Sequence, residues 1–111
     1  MVKKIFSITF IISGLALIAL GFPLFAGKIE PNTLIGFAGD VPLSDSEWMA
    51  YNRVNGAGTL TFGFILLFYH IIALVKMKSV GTSSYVLRGF AALIMSTIPA
   101  FLVMYIVETT L

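Results

Sequence analysis

His70 and five carboxylates are the side chains in this 111-residue sequence best suited to acid–base or metal chemistry. There is no cysteine, so thiolate chemistry and disulfides are absent and the redox compartment stays open. A lone imidazole does not build a structural metal site, which takes about four ligands. His70 can titrate near neutral pH and sense protons. Its isolation favours a simpler role, as a polar residue capping a bundle end or facing headgroups. Asp40, Asp45 and Glu47 offer hard oxygen donors but not the spacing of a known calcium loop. No Ser-His-Asp set, phosphate-binding glycine loop or metal-spaced His pair occurs. The sequence therefore predicts neither an enzyme nor a metal or cofactor protein.

The elements that must position these residues follow from where the charges fall. The chain is 59% hydrophobic and 11% charged, with a mean hydropathy of +1.01. A soluble domain carries about 25% charged residues. Seven basic and five acidic side chains are too few to cover a globule, and a net charge of +2 gives no footing for a nucleic-acid partner. The charges bracket three uncharged runs, at 5–27, 54–75 and 89–107. A ~30 Å hydrocarbon core needs about 20 apolar residues in a helix, and lipid offers the backbone no other hydrogen-bond partner. The prediction is an all-α transmembrane three-helix bundle forming a single membrane domain over 1–111. Its helices are expected at about 5–27, 56–75 and 89–108, with an outer segment at about 28–55.

Lys3 and Lys4 ahead of an apolar stretch also fit a signal peptide, but the stretch exceeds a usual h-region. Leu24 stands where cleavage after Ala26 would want a small residue, so a retained helix is expected. Lys3, Lys4, Lys76, Lys78 and Arg88 mark one side, against Lys28 and Arg53 on the other. The positive-inside rule then puts the N-terminus in the cytoplasm, and 28–53 and the C-terminus outside a cell membrane.

Small residues supply candidate packing faces, because close contact in lipid relies on them and on a few polar groups. Ser7, Gly14 and Gly21 recur every seven residues. Gly56, Thr59 and Gly63 continue a side begun by Asn52, and Gly89, Ala92, Ser96 and Pro99 form a third stripe. Pro99 lacks an N–H and should free the carbonyl of Met95 and bend the third helix, with Ser96 placed to accommodate the defect. Apart from His70 the runs hold no acid or base, which disfavours a proton-coupled exporter.

The outer segment is of a different kind. Pro31, Gly36, Gly39 and Pro42 predict turns. Ser44 and Glu47 then form a capping box, Leu43 and Trp48 a hydrophobic staple, and Asp45 suits the positive end of a helix dipole. A short interfacial helix to about Asn55 is expected, with a bend at Gly56 and Gly58 before the membrane. Trp48, Tyr51, Asn52 and Asn55 share a side by helical spacing, and Trp and Tyr suit the membrane–water boundary. Arg53 has Asp40, Asp45 and Glu47 as candidate ion-pair partners.

Phe22 to Asn32, then Leu34-Ile35-Gly36-Phe37, Pro42-Leu43-Ser44 and Glu47-Trp48 through Tyr51-Asn52-Arg53 to Gly56, resemble the small SdpI-like membrane proteins. The resemblance covers about 5–75 and is most specific over 22–63. The family pattern runs Ile-Gly-Phe-Arg-Thr-Pro where this chain has Ala38-Gly39-Asp40-Val41-Pro42 after Gly36-Phe37, so its arginine is missing. The resemblance implies an immunity and signalling role, protecting a bacterium from its own secreted toxin. The residues that match are Asn32, Gly36, Phe37, Trp48, Asn52, Arg53 and Gly56. Expected partners are the lipid bilayer and a secreted peptide toxin or another membrane protein, with a homo-oligomer left open. A structural or assembly subunit of a larger membrane complex is the alternative, motivated by the small-residue stripes.

Overall fold

The computed structural model describes residues 1–26 and 45–110, without the side chains of Asp45 and Trp48. Within them four helices follow one another: α1 (Val2–Phe25), α2 (Asp45–Lys76), α3 (Thr82–Met95) and α4 (Thr97–Thr110). They make up three segments long and apolar enough to cross a membrane, Val2–Phe25, Met49–Lys76 and Thr82–Thr110. The described residues are helical apart from short connections, as the charge-free runs require.

The helices outrun those runs. α1 takes in Lys3 and Lys4, and the third span begins at Thr82 with Arg88 inside it. A charge need not end a helix, because a long side chain can carry it to the headgroups while its stem stays in apolar surroundings. Arg88 is accordingly exposed.

α2 is described from Asp45; Leu43 and Ser44 of the predicted staple and capping box lie outside the described residues. Helix is unbroken through Gly56 and Gly58, where the bend is expected, and α2 is one helix of 32 residues. At 1.5 Å per residue it is about 48 Å long, well beyond a ~30 Å core. The two glycines admit neighbours. A β-carbon on Gly56 would stand 2.8 Å from Phe25 Cα and 2.9 Å from Gly21 O, closer than real β-carbons approach.

α1 and α2 run antiparallel and form the largest interface. Ser7, Gly14 and Gly21 are all buried on α1, and Gly56, Gly63 and His70 are all buried on α2. Each step of seven residues up one helix matches a step of seven down the other. Gly21 thus meets Gly56, Gly14 meets Gly63, and Ser7 meets His70. Seven residues make nearly two helical turns, so such a seam keeps facing its partner as in left-handed pairings.

Of the third stripe, Gly89 and Ser96 are buried and Ala92 and Pro99 half-buried; Ala100, outside the stripe, is buried as well. α3 and α4 part at Ser96, one turn before Pro99. Proline offers no N–H to the Met95 carbonyl, and its ring crowds that oxygen. The Ser96 and Thr97 hydroxyls donate to the carbonyls of Leu93 and Ile94, at 2.7 and 2.6 Å. Exposed hydroxyls on α1 likewise turn back on their own helix, as Thr9 does to Ile5 O and Ser13 to Thr9 O. α4 lies against α2, with Gly58 facing Met104, and none of its Cα atoms comes within 8 Å of α1. A cleft of about 250 Å³ opens there, with Leu17 on one side, Phe101 on the other and Thr59 and Phe62 as its floor.

Candidate functional site

Two places in the bundle concentrate polar side chains where lipid or protein should exclude them. The first is the start of α2. Asn32, Gly36 and Phe37 of the predicted site lie outside the described residues, and Trp48 is described only as part of the helix backbone. The others fall on successive turns. Asn52 is 2% exposed, and its Oδ1 has no hydrogen-bond partner among the described residues. Arg53 is half-buried, and its Nε likewise has none among them. Gly56, one turn on, is pressed against the end of α1.

Asn52 is buried, whereas Tyr51 and Asn55 are half-buried. They line a cleft of about 320 Å³ between α2 and α4, together with Met104 and Glu108. Asn55 Nδ2 donates to the carbonyl of Tyr51 at 3.1 Å. Of the side predicted from Trp48, Tyr51, Asn52 and Asn55, the structure places Tyr51 and Asn55 in this cleft beside α4. It adds Glu108, which sequence spacing had no means of connecting to α2.

The second place is at the opposite end. His70 is fully buried, so it does not face headgroups. Ser7 Oγ lies 3.1 Å from His70 Nδ1 and is also hydrogen-bonded to the Tyr85 hydroxyl. One residue from each span therefore joins a single polar chain. Phe10 stacks on the imidazole with centroids 4.8 Å apart and planes 7° from parallel, while Phe6 and Tyr69 meet it edge-on at 5.6 and 5.0 Å. Gly89 makes room for the Phe6 ring.

Hydrogen-bond accounting leaves one atom over. If Nδ1 accepts from Ser7, the Ser7 oxygen accepts from Tyr85 and Nε2 carries a buried N–H. If Nδ1 donates, the Ser7 hydroxyl donates to Tyr85 and Nε2 is a bare acceptor. Nε2 has no partner either way. Ser7 stood in a predicted packing stripe, but its bonds to His70 and Tyr85 were missed. Extending the Gly56–Gly63 interval by seven reaches His70, and the antiparallel register pairs it with Ser7.

No family model, curated protein or solved structure matches this chain. Its own geometry has to carry the functional reading. A helix-spanning Ser–His–Tyr cluster locks three spans at one end, and at the far end α2 keeps polar atoms without partners among the described residues.

Proposed function

We propose that this chain is a non-enzymatic, multi-pass protein of SdpI-like type in the cell membrane, whose outer end binds a peptide or partner at the membrane surface. The observation that carries this reading is the pair of buried atoms Asn52 Oδ1 and Arg53 Nε, on adjacent residues, neither with a hydrogen-bond partner among the described residues. A buried polar group without a partner costs about 1–3 kcal/mol. Such a cost is recovered when a ligand supplies the missing donor or acceptor. The planar guanidinium of Arg53 suits a carboxylate or a peptide carbonyl, and the Asn52 oxygen suits an amide N–H.

In this reading the lysine-rich end is cytoplasmic and the start of α2 faces outside, following the positive-inside rule. The small-residue stripes that motivated a subunit of a larger complex are occupied within the chain by Gly14–Gly63 and Gly21–Gly56. That occupancy leaves binding at the outer end as the favoured function.

The test is protection of cells expressing the protein against a secreted peptide toxin. Arg53→Ala and Trp48→Ala should abolish protection while membrane insertion and expression stay unchanged. Full protection by both variants counts against the proposal.

A further inference from the structure

We propose that the cleft at the lysine-bearing end of the bundle binds the headgroup of an anionic phospholipid. The cleft has a volume of about 340 Å³, and its lining includes Lys3, Lys4 and Lys78 together with the apolar Ala73, Leu74 and Met77. Tyr85, already tied to Ser7, is part of its lining. The inference does not depend on what the outer end binds.

Charge accounting comes first. Three ammonium groups share one cleft, and among the described residues no carboxylate lies at this end. Asp45 and Glu47 begin α2 at the end opposite Lys76, and Glu108 lies near the end of α4, in the cleft with Tyr51 and Asn55. Among the described residues, nothing supplies the balancing negative charge.

The site is also preformed. Lys3 Nζ donates to the carbonyls of Lys78 and Val80, both at 2.8 Å, and lies 5.7 Å from the centre of the Tyr85 ring. This strap fastens the connection between α2 and α3 to the first turn of α1. It leaves the Lys4 and Lys78 side chains exposed, one from each element. A flexible pair of lysines would lose more conformational entropy on gripping an anion.

Depth selects the ligand. The three membrane-crossing segments begin or end at Val2, Lys76 and Thr82, so the cleft lies at the level of the headgroups. A lining that is part cationic and part apolar fits a molecule with a phosphate joined to a glycerol and methylene chain. Basic pockets between membrane helices on the cytoplasmic side hold anionic headgroups by this chemistry.

The experiment uses the full-length protein in nanodiscs of phosphatidylcholine with graded phosphatidylglycerol, with retained lipid counted by native mass spectrometry. Phosphatidylglycerol should be kept in preference to phosphatidylcholine. The double variant Lys4→Gln/Lys78→Gln should lose roughly tenfold or more of that preference. The control Lys76→Gln/Arg88→Gln removes two charges from the same end but outside the cleft, and should change it by less than about twofold. All four side chains are exposed, and circular dichroism checks that helix content is kept. Equal retention of the two lipids overturns the proposal, as does an equal loss in the control, which would mean diffuse surface charge. Displacement of the lipid by inorganic phosphate would assign the cleft to a free anion, and displacement by a soluble glutamate-rich peptide would assign it to a protein partner; either overturns it.

Discussion

Gly14 and Gly63 meet backbone to backbone. A β-carbon on Gly14 would stand 2.8 Å from Gly63 O, and one on Gly63 would stand 2.9 Å from Gly14 O. The contact is reciprocal, so neither residue tolerates a methyl group without parting the helices. Lipid tails are as apolar as leucine, and helices in them associate through close packing and polar contacts rather than through the hydrophobic effect. This pair sits midway along a seam that starts at Gly21–Gly56 and ends at Ser7–His70.

Alanine substitutions should rank by what each new methyl meets. Gly56→Ala strikes the backbone of Phe25 and Gly21, which cannot swing aside, and should cost about 1–3 kcal/mol. Gly58→Ala meets only the Met104 side chain, whose flexible thioether can move, and should cost under about 1 kcal/mol. Gly81 has nothing within 4 Å of its β position, so Gly81→Ala should fall within about 0.5 kcal/mol of the parent. Thermal or denaturant unfolding in a fixed detergent gives the order directly, and equal costs for Gly56 and Gly58 would refute it.

The polar chain of Ser7, His70 and Tyr85 should behave as one unit. Interhelical hydrogen bonds in membranes average about 0.6 kcal/mol and reach about 1.7. Ser7→Ala removes two bonds and Tyr85→Phe only one of them. The double variant should therefore be little less stable than Ser7→Ala alone. Additive losses in a double-mutant cycle would show that the two hydroxyls act independently.

A chain without cysteine lends itself to mapping its sidedness. Ser46 and Ser79 are both exposed, just inside the start and just past the end of α2. Ser46→Cys and Ser79→Cys should react with an impermeant maleimide from opposite faces of the membrane, Ser46→Cys from outside intact cells. Labelling of both from one face would remove α2 as a spanning helix.

Pro99→Ala should restore the missing amide to the Met95 carbonyl and join α3 to α4 without a break. The change reads out as a smaller angle between spin labels placed on either side of Ser96. An unaltered angle would assign the break to the hydroxyls of Ser96 and Thr97 rather than to the proline.

Much of this architecture is legible in one dimension, because lipid imposes a single demand on backbone amides. The uncharged runs at 5–27, 54–75 and 89–107 locate the three spans. The heptad interval of Ser7, Gly14 and Gly21 marks a face that the structure buries. Helix ends are less legible, since Lys3, whose ammonium is held by the carbonyls of Lys78 and Val80, and the exposed Arg88 both leave the helix intact. The role of Gly56 is hard to read for another reason: the spacing of small residues looks the same whether it admits a neighbour or weakens a helix. The bond between Ser7 and His70 joins residues 63 positions apart. Only the antiparallel register makes them neighbours, and register is a property of two helices together. At the outer end, Asn32, Gly36 and Phe37 lie outside the described residues, and Asn52 and Arg53 are placed by α2 alone.

The lone attachment of α4 has a mechanical corollary. A chain cut after Met95 would keep both partners of every glycine contact between the first two helices, and the Ser7–His70–Tyr85 bonds as well. The antiparallel hairpin, pinned at its basic end by α3, is thus the smallest self-consistent portion of this protein, and everything beyond Ser96 leans on it as a lodger.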